Sequence, residues 1–205
     1  VHNRICRKRQ YPLSLPHNNR DPQNFAIQAR KAQDTGEKVY GHKGESKLSE
    51  ILDVLLPIGI ICDYQHVTLL RHFGDVVKVI SSSLPKDTRK HIDYSLRNQP
   101  FPHFFNRKMR GIDEFSYIKA SELRNLLLYG FVPNFYNSLT VDQAAHICLF
   151  ICGIRLLHCS NKSFGQSTSS LASDLLKTYY QYHGQYYKYL KNFVLHLHIH
   201  YAHNY

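Results

Sequence analysis

Three groups of residues have the types and spacing to do chemistry. Asp63 and His66 stand three apart where a short apolar run (Ile58, Ile60, Ile61, Cys62) gives way to a helical stripe of Val67, Leu70, Phe73, Val77 and Ile80. That change of period marks a strand-to-helix junction. By residue type alone Asp63 is a helix N-cap and His66 bonds locally in the first turn. In a second group, His196, His198 and His200 alternate with Leu195, Leu197 and Ile199. Extended, that stretch would present three imidazoles on one face, as a zinc-binding strand does. With no carboxylate or Cys nearby, the set makes a weak metal site. The third group is cationic: Arg7, Lys8 and Arg9 in an N-terminal arm, then Arg107, Lys108 and Arg110 interleaved with Phe101, Phe104 and Phe105. Rings that stack on bases beside cations that hold phosphates suit nucleic-acid contact. The same rings would equally serve to pin a loop to a core.

Helices must position these groups. Residues 1–20, rich in Arg and carrying two prolines, read as an arm. Asp21-Pro22 opens a short amphipathic helix through Phe25, Ala26, Ala29 and Ala32 that ends at Gly36. A glycine-punctuated connector follows, whose Gly41 and Gly44 are too sparse to cradle a phosphate. After the junction, Ser81–Pro85 breaks the helix and Lys86–Asn98 forms another. Ile118–Gly130 predicts a helix with Leu123, Leu126 and Leu127 inward and Gly130 closing it. Thr140–His158 is apolar on nearly every face, the mark of a central buried helix. Asn161–Ser170 reads as a polar linker. Leu171–Leu190 should be helical, with a stripe of Leu171, Leu175, Tyr179, Tyr182, Tyr186 and Tyr189. The expected fold is a mainly α-helical bundle with at most one or two short strands. Its regions are 1–57 (arm, short helix, connector), 58–160 (junction and helical core) and 161–205 (linker, Tyr-rich helix and His-rich tail on the same core).

The 205 residues suffice for one good core. Lys+Arg exceed Asp+Glu by 26 to 15, a net charge of +11 with a pI near 9.4. That sign attracts polyanions, nucleic acid above all. Five Cys with no C-x-x-C pair read as buried free thiols in a reducing compartment. Cys148 and Cys152, one turn apart, read as core packing. No signal peptide is visible, and Arg-Lys-Arg at 7–9 would serve as a nuclear import signal. Ala144–Leu157 holds Arg155 and is shorter than a membrane span, so a soluble, nuclear protein is expected.

Five blocks, in order, resemble the C-terminal half of the transposases of CACTA (En/Spm)-type DNA transposons. ARKAQDTGEKVYGHKGESKLSEI is similar to the family's "TG-x-x-V-x-G-x-KG-x-S-x-L" block, and IGIICDYQH to its apolar run ending in D-Y-M-H. SLPKDTRKHIDYSL resembles "LP-x-x-x-R-x-x-I-D-x-x-L". RGIDEFSYIKASELRNLLLYGFVP resembles the K-A-S-E-W-R signature block, and KASELRNLLLYGFVP is the most specific piece. YKYLKNFVLHL is similar to "Y-N-V-H-x-L-x-H-L". The likeness runs from about Phe25 to His196.

The resemblance implies the helical insertion domain of an RNase H-like enzyme in which three acids hold two divalent metals, Mg2+ in the full-length family. It implies DNA as partner, with the remainder of the transposase or host proteins as further ones. It assigns Asp63 and His66 an accessory catalytic role, His66 near the scissile phosphate and Asp63 orienting it. Departures are equally informative. The family's first two acids would lie before Val1, and the third is expected after the H-L block, where this sequence reads HIHYAHNY. Tyr64-Gln65-His66 stands for Tyr-Met-His, and Ile118 and Leu123 stand where the family has Trp. No complete acidic triad transfers, and two-metal chemistry needs several converging carboxylates. A transposase-derived fragment that binds DNA and is inactive alone is the expectation, with a host-adopted protein-interaction module as the alternative.

Overall fold

The computed structural model describes residues 11, 13, 21–57, 63–100, 108–158, 167–187 and 192–203. These are mainly helical, as expected, and fall into two compact units: Leu15–Cys62, and a larger one built on Asp63–Tyr205. Among the described residues the only extended pairing is a single antiparallel bridge between Val39 and His42. The run Ile58–Cys62, expected as a strand, lies outside them.

In the smaller unit, Asp21 caps α1 (Pro22–Thr35) by accepting the Asn24 N–H at 3.0 Å, and Pro22 occupies the first turn. Gly36 ends the helix at φ 68°, where a side chain would be strained, and its N–H donates to the Ala32 carbonyl. The connector is ordered by a tight turn: the Val39 and His42 amides exchange hydrogen bonds of 3.1 and 2.8 Å. His42 is buried with its ring edge-on to Phe25, centroids 4.4 Å apart. A single helical turn, α2 (Leu48–Ile51), follows.

In the larger unit, α3 begins as π-helical turns over Gln65–Phe73 and continues unbroken as α-helix over Gly74–Ser83. The Gly74 N–H reaches the Leu69 carbonyl, the i→i−5 bond of the wider turn. That widening changes which residues face inward. Thr68, Leu69, His72, Phe73, Val76, Val77 and Ile80 are buried, while Val67 and Leu70 of the expected stripe are only half-buried. α4 (Lys86–Asn98) has the expected bounds and buries Ile92 and Leu96. A 3₁₀ segment (Ile112–Tyr117) leads into α5, which runs through Ala120–Asn125, π turns over Leu126–Gly130, and Phe131–Phe135. Leu123, Leu126 and Leu127 point inward as expected. Gly130 does not close the helix: it is buried at φ −97°, and the Phe131 N–H bonds back to Leu126.

α6 (Val141–His158) and α7 (Ser167–Tyr186) form the most extensive helix pair. By length and mean hydropathy α6 matches a membrane span. Its Ile147, Phe150, Ile151, Ile154 and Leu157 are nonetheless buried within the bundle, as a core helix requires. A Cβ on Gly153 would sit 3.0 Å from Leu176 Cγ, so glycine sets the close approach of the pair. The thiols correct an expectation. Cys148 is half-buried and Cys152 exposed, on the flank of α6 that turns from the core, while Cys6, Cys62 and Cys159 lie outside the described residues. The α7 stripe is also displaced by one position. Ala172, Leu176, Tyr179, Tyr180, His183 and Tyr187 are inward, whereas Leu171 and Tyr182 are exposed. The expected stripe left out the histidine on this face, which moved its apparent centre. α7 starts at Ser167, within the expected linker. The tail is helical, not extended: α8 (Phe193–Leu197) is capped by Asn192 and passes into a 3₁₀ turn over His198–His203.

One contact fixes the approach of α4 to the segment before α5. The Asp93 carboxylate accepts the Asp113 N–H at 3.1 Å and the Arg97 Nε–H at 2.7 Å. A Cβ on Gly111 would fall 1.6 Å from Asp93 Oδ1. Gly111→Ala is therefore expected to displace that carboxylate and lower stability by about 1–3 kcal/mol. A urea midpoint equal to that of the unsubstituted chain would contradict it.

Candidate nucleic-acid interface

Asp63 stands just before the first turn of α3. Its Oδ1 accepts the His66 N–H at 3.1 Å, and its Oδ2 lies 2.5 Å from His66 Nδ1. The local cap and the carboxylate–imidazole pair thus coexist. Hydrogen bonding from the His66 side chain, then from its backbone, holds the Asp63 carboxyl below its ordinary value. Both side chains are more than half exposed. Held through Nδ1, the ring presents Nε2 as its remaining nitrogen, so the pair can offer an oriented imidazole to an outside group. Among the described residues no set of three His, Cys, Asp or Glu side chains is arranged to hold a metal ion. The pair therefore stands without carboxylate companions there.

Of the cations expected to touch DNA, the structure separates two. Lys108 is exposed. Arg110 is turned inward: its N–H donates to Glu122 Oε1 at 3.2 Å, and Nη1 donates to the Tyr117 carbonyl and lies 3.8 Å from Glu122 Oε2. Glu122 is 1% exposed and also accepts the Lys119 N–H at 2.9 Å, capping the start of α5. Arg110, its side chain about a third exposed at 32%, is thus tied to the start of α5. Met109, between the two cations, is buried. Arg7, Lys8, Arg9, Arg107 and the phenylalanines at 101, 104 and 105 lie outside the described residues. Exposed cations that the sequence reading did not single out include Lys78, Lys86, Lys90, Lys119 and Arg124.

The histidine tail does not form the expected three-imidazole face. On a helix His196 and His200 are one turn apart, Nε2 to Nε2 at 3.3 Å, while His198 turns into the core. His198 Nε2 lies 3.1 Å from the Thr68 hydroxyl, and its ring centroid is 4.9 Å from that of His72. His72 meets the Tyr179 hydroxyl at 2.9 Å and faces His183 at 5.2 Å; His146 Nε2 donates to the Tyr179 carbonyl at 3.0 Å. Four buried histidines from α3, α6, α7 and the tail thus share one aromatic core with Phe150 and Tyr179. Burial, then the neighbouring imidazoles, pushes His72 well below its ordinary value; burial lowers His146 and brings His198 down to about 4. Sequence reasoning missed this cluster. Its signal was present: each of His72, His146 and His183 sits at helical spacing among buried apolar residues.

No protein-family model, curated protein or solved structure matches this chain.

Proposed function

We propose that this chain is a DNA-binding helical domain of CACTA-type transposase ancestry. The observation that carries the DNA reading is the surplus of cations, +11 over the chain, together with the exposure of Lys78, Lys86, Lys90, Lys108, Lys119 and Arg124. Each internal ion pair, such as Arg97 with Asp93 or Arg110 with Glu122, removes one charge of either sign and leaves that surplus at the surface. What supports the ancestry is that the resembling blocks fit one another. Asp93 of the HIDYSL block receives Gly111 and Asp113, and Arg110 at the head of the next block pairs with the Glu122 of its KASELR piece. In this reading the motif residues are retained as architecture. Asp63 and His66 keep the oriented imidazole that would meet a phosphate, with Mg2+ belonging to a full-length enzyme and its own acids. A nuclear location follows from the same reading.

Binding to duplex DNA should weaken steeply with salt, because each neutralised phosphate releases counterions. Contact with two or more phosphates predicts a loss of about tenfold or more between ~50 and ~200 mM salt. Fluorescence anisotropy on a labelled duplex measures it, and an affinity indifferent to salt would sink the proposal. Lys108→Ala should cost several-fold in affinity with unchanged thermal stability.

One observation favours the alternative of a protein-interaction module. Leu48, Ile51, Val54 and Leu55 form an apolar stretch whose members are each at least half exposed, and such stretches mark protein contact more often than DNA contact. A chain that retains no DNA at low salt would leave that reading in possession.

A further inference from the structure

A small cavity of about 170 Å3 opens between α3, α4 and the 3₁₀ segment, lined by Lys78, Ser81, Ser82, Arg89, Asp113 and Phe115, with Ile112 behind. Its chemistry is unusual for so small a space. Arg89 Nε is buried and has no hydrogen-bond partner, and the same is true of Ser81 Oγ. An arginine Nε–H shielded from solvent normally meets an acceptor, since a buried donor without one is unfavourable. The nearby carboxylates are engaged by another residue: Asp93 and Glu114 both pair with Arg97, at 2.7 and 3.2 Å. Asp113, the one acid on the wall, is exposed and forms no ion pair with Arg89 or Lys78. Ser82 donates to the Val79 carbonyl, so Ser81 is the hydroxyl available inside. Lys78 Nζ lies over the Phe115 ring at 5.6 Å and adds a second positive charge at the mouth.

We propose that this pocket seats one backbone phosphate of bound nucleic acid. Arg89 supplies the planar fork through Nε and a neighbouring Nη, Ser81 a hydroxyl donor, and Lys78 a point charge from the rim. The pocket is sized for a tetrahedral oxyanion and offers no stack of rings to hold a base, so it positions the duplex without reading sequence. The inference rests on the DNA-binding reading, but the site can be tested apart from it.

Arg89→Met and, as a variant confined to an exposed residue, Lys78→Met are compared with the unsubstituted chain by anisotropy over a salt series. Far-ultraviolet circular dichroism checks that each is folded. Loss of one phosphate contact predicts roughly tenfold weaker binding at low salt for Arg89→Met and a salt slope shallower by about one. Lys78→Met should lose several-fold. Arg89→Lys, which keeps the charge but not the fork, should recover only part of the affinity. Folded variants of both residues that bind DNA with unchanged slope would overturn the pocket while leaving DNA binding standing. If the unsubstituted chain binds no DNA, titration with inorganic phosphate decides the site. An Arg89 Nε–H resonance that shifts with phosphate retains an oxyanion pocket for another source, such as a phosphorylated peptide. A resonance that stays in place overturns it.

Discussion

Acidification from pH ~6.5 towards ~4 is expected to unfold the larger unit well before its carboxylates are all protonated. His72, His146 and His198 are buried in the aromatic core. Burial therefore favours the neutral imidazole, and the neighbouring imidazoles oppose charge on His72 further. Free imidazoles in the unfolded chain titrate near 6.5. Above that pH neither state binds the proton, and the stability contribution is fully present. As the pH falls below it, the unfolded chain takes up protons that the folded chain refuses, so unfolding free energy declines. The decline continues until the folded-state value is reached, about 4 for His198. A shift of that size corresponds to about 3 kcal/mol for His198 alone, and His72 adds to it. Urea midpoints at several pH values between 7.5 and 4.5 should fall steadily, and His198→Gln should flatten the curve. A midpoint constant across that range would refute the account.

Glu122→Ala should be among the most damaging single changes in the chain. It removes the acceptor for the Lys119 and Arg110 amides together and leaves the Arg110 guanidinium without its carboxylate. Losing both acceptor contacts of a buried carboxylate to part-buried amides makes the expected loss about 2–3 kcal/mol. Glu122→Gln, which keeps one acceptor oxygen, should recover part of it. Equilibrium unfolding in urea reads both, and a loss below about 1 kcal/mol for the alanine variant would show that the amides find other partners. The result bears on how DNA-binding experiments are read. Arg110→Ala would reduce retention on DNA through lost structure, so Lys108→Ala is the informative substitution in that segment.

The helices themselves were readable in the chain because their signals are local. Asp21-Pro22 and Gly36 bracket α1, the break at Leu84-Pro85 opens α4, and the apolar run of α6 announces a core helix. Facing was less readable wherever the backbone departed from the ordinary period. The π turns over Gln65–Phe73 carry Thr68 and His72 inward, and a stripe drawn at 3.6 residues per turn passes beside them. In α7, an ordinary α-helix, the cause is different: His183 occupies a core position that a search for apolar residues leaves blank.

In the candidate site, the pairing of Asp63 with His66 follows from three-residue spacing at a helix start, and the sequence alone determined it. So too with the mainly helical fold and the positive charge. Helical spacing already pairs Arg97 with Asp93, but the rest of the division of labour among Arg110, Arg97 and Arg89 was decided by tertiary packing, which sets the further carboxylates each can reach. Arg110 is given Glu122, Arg97 is given Asp93 and Glu114, and Arg89 is left facing an open pocket. The tail histidines make the same point. Alternation of polar and apolar residues is equally compatible with a strand, but packing of Leu195, His198 and Tyr201 against α3 and α7 selects the helix that buries them.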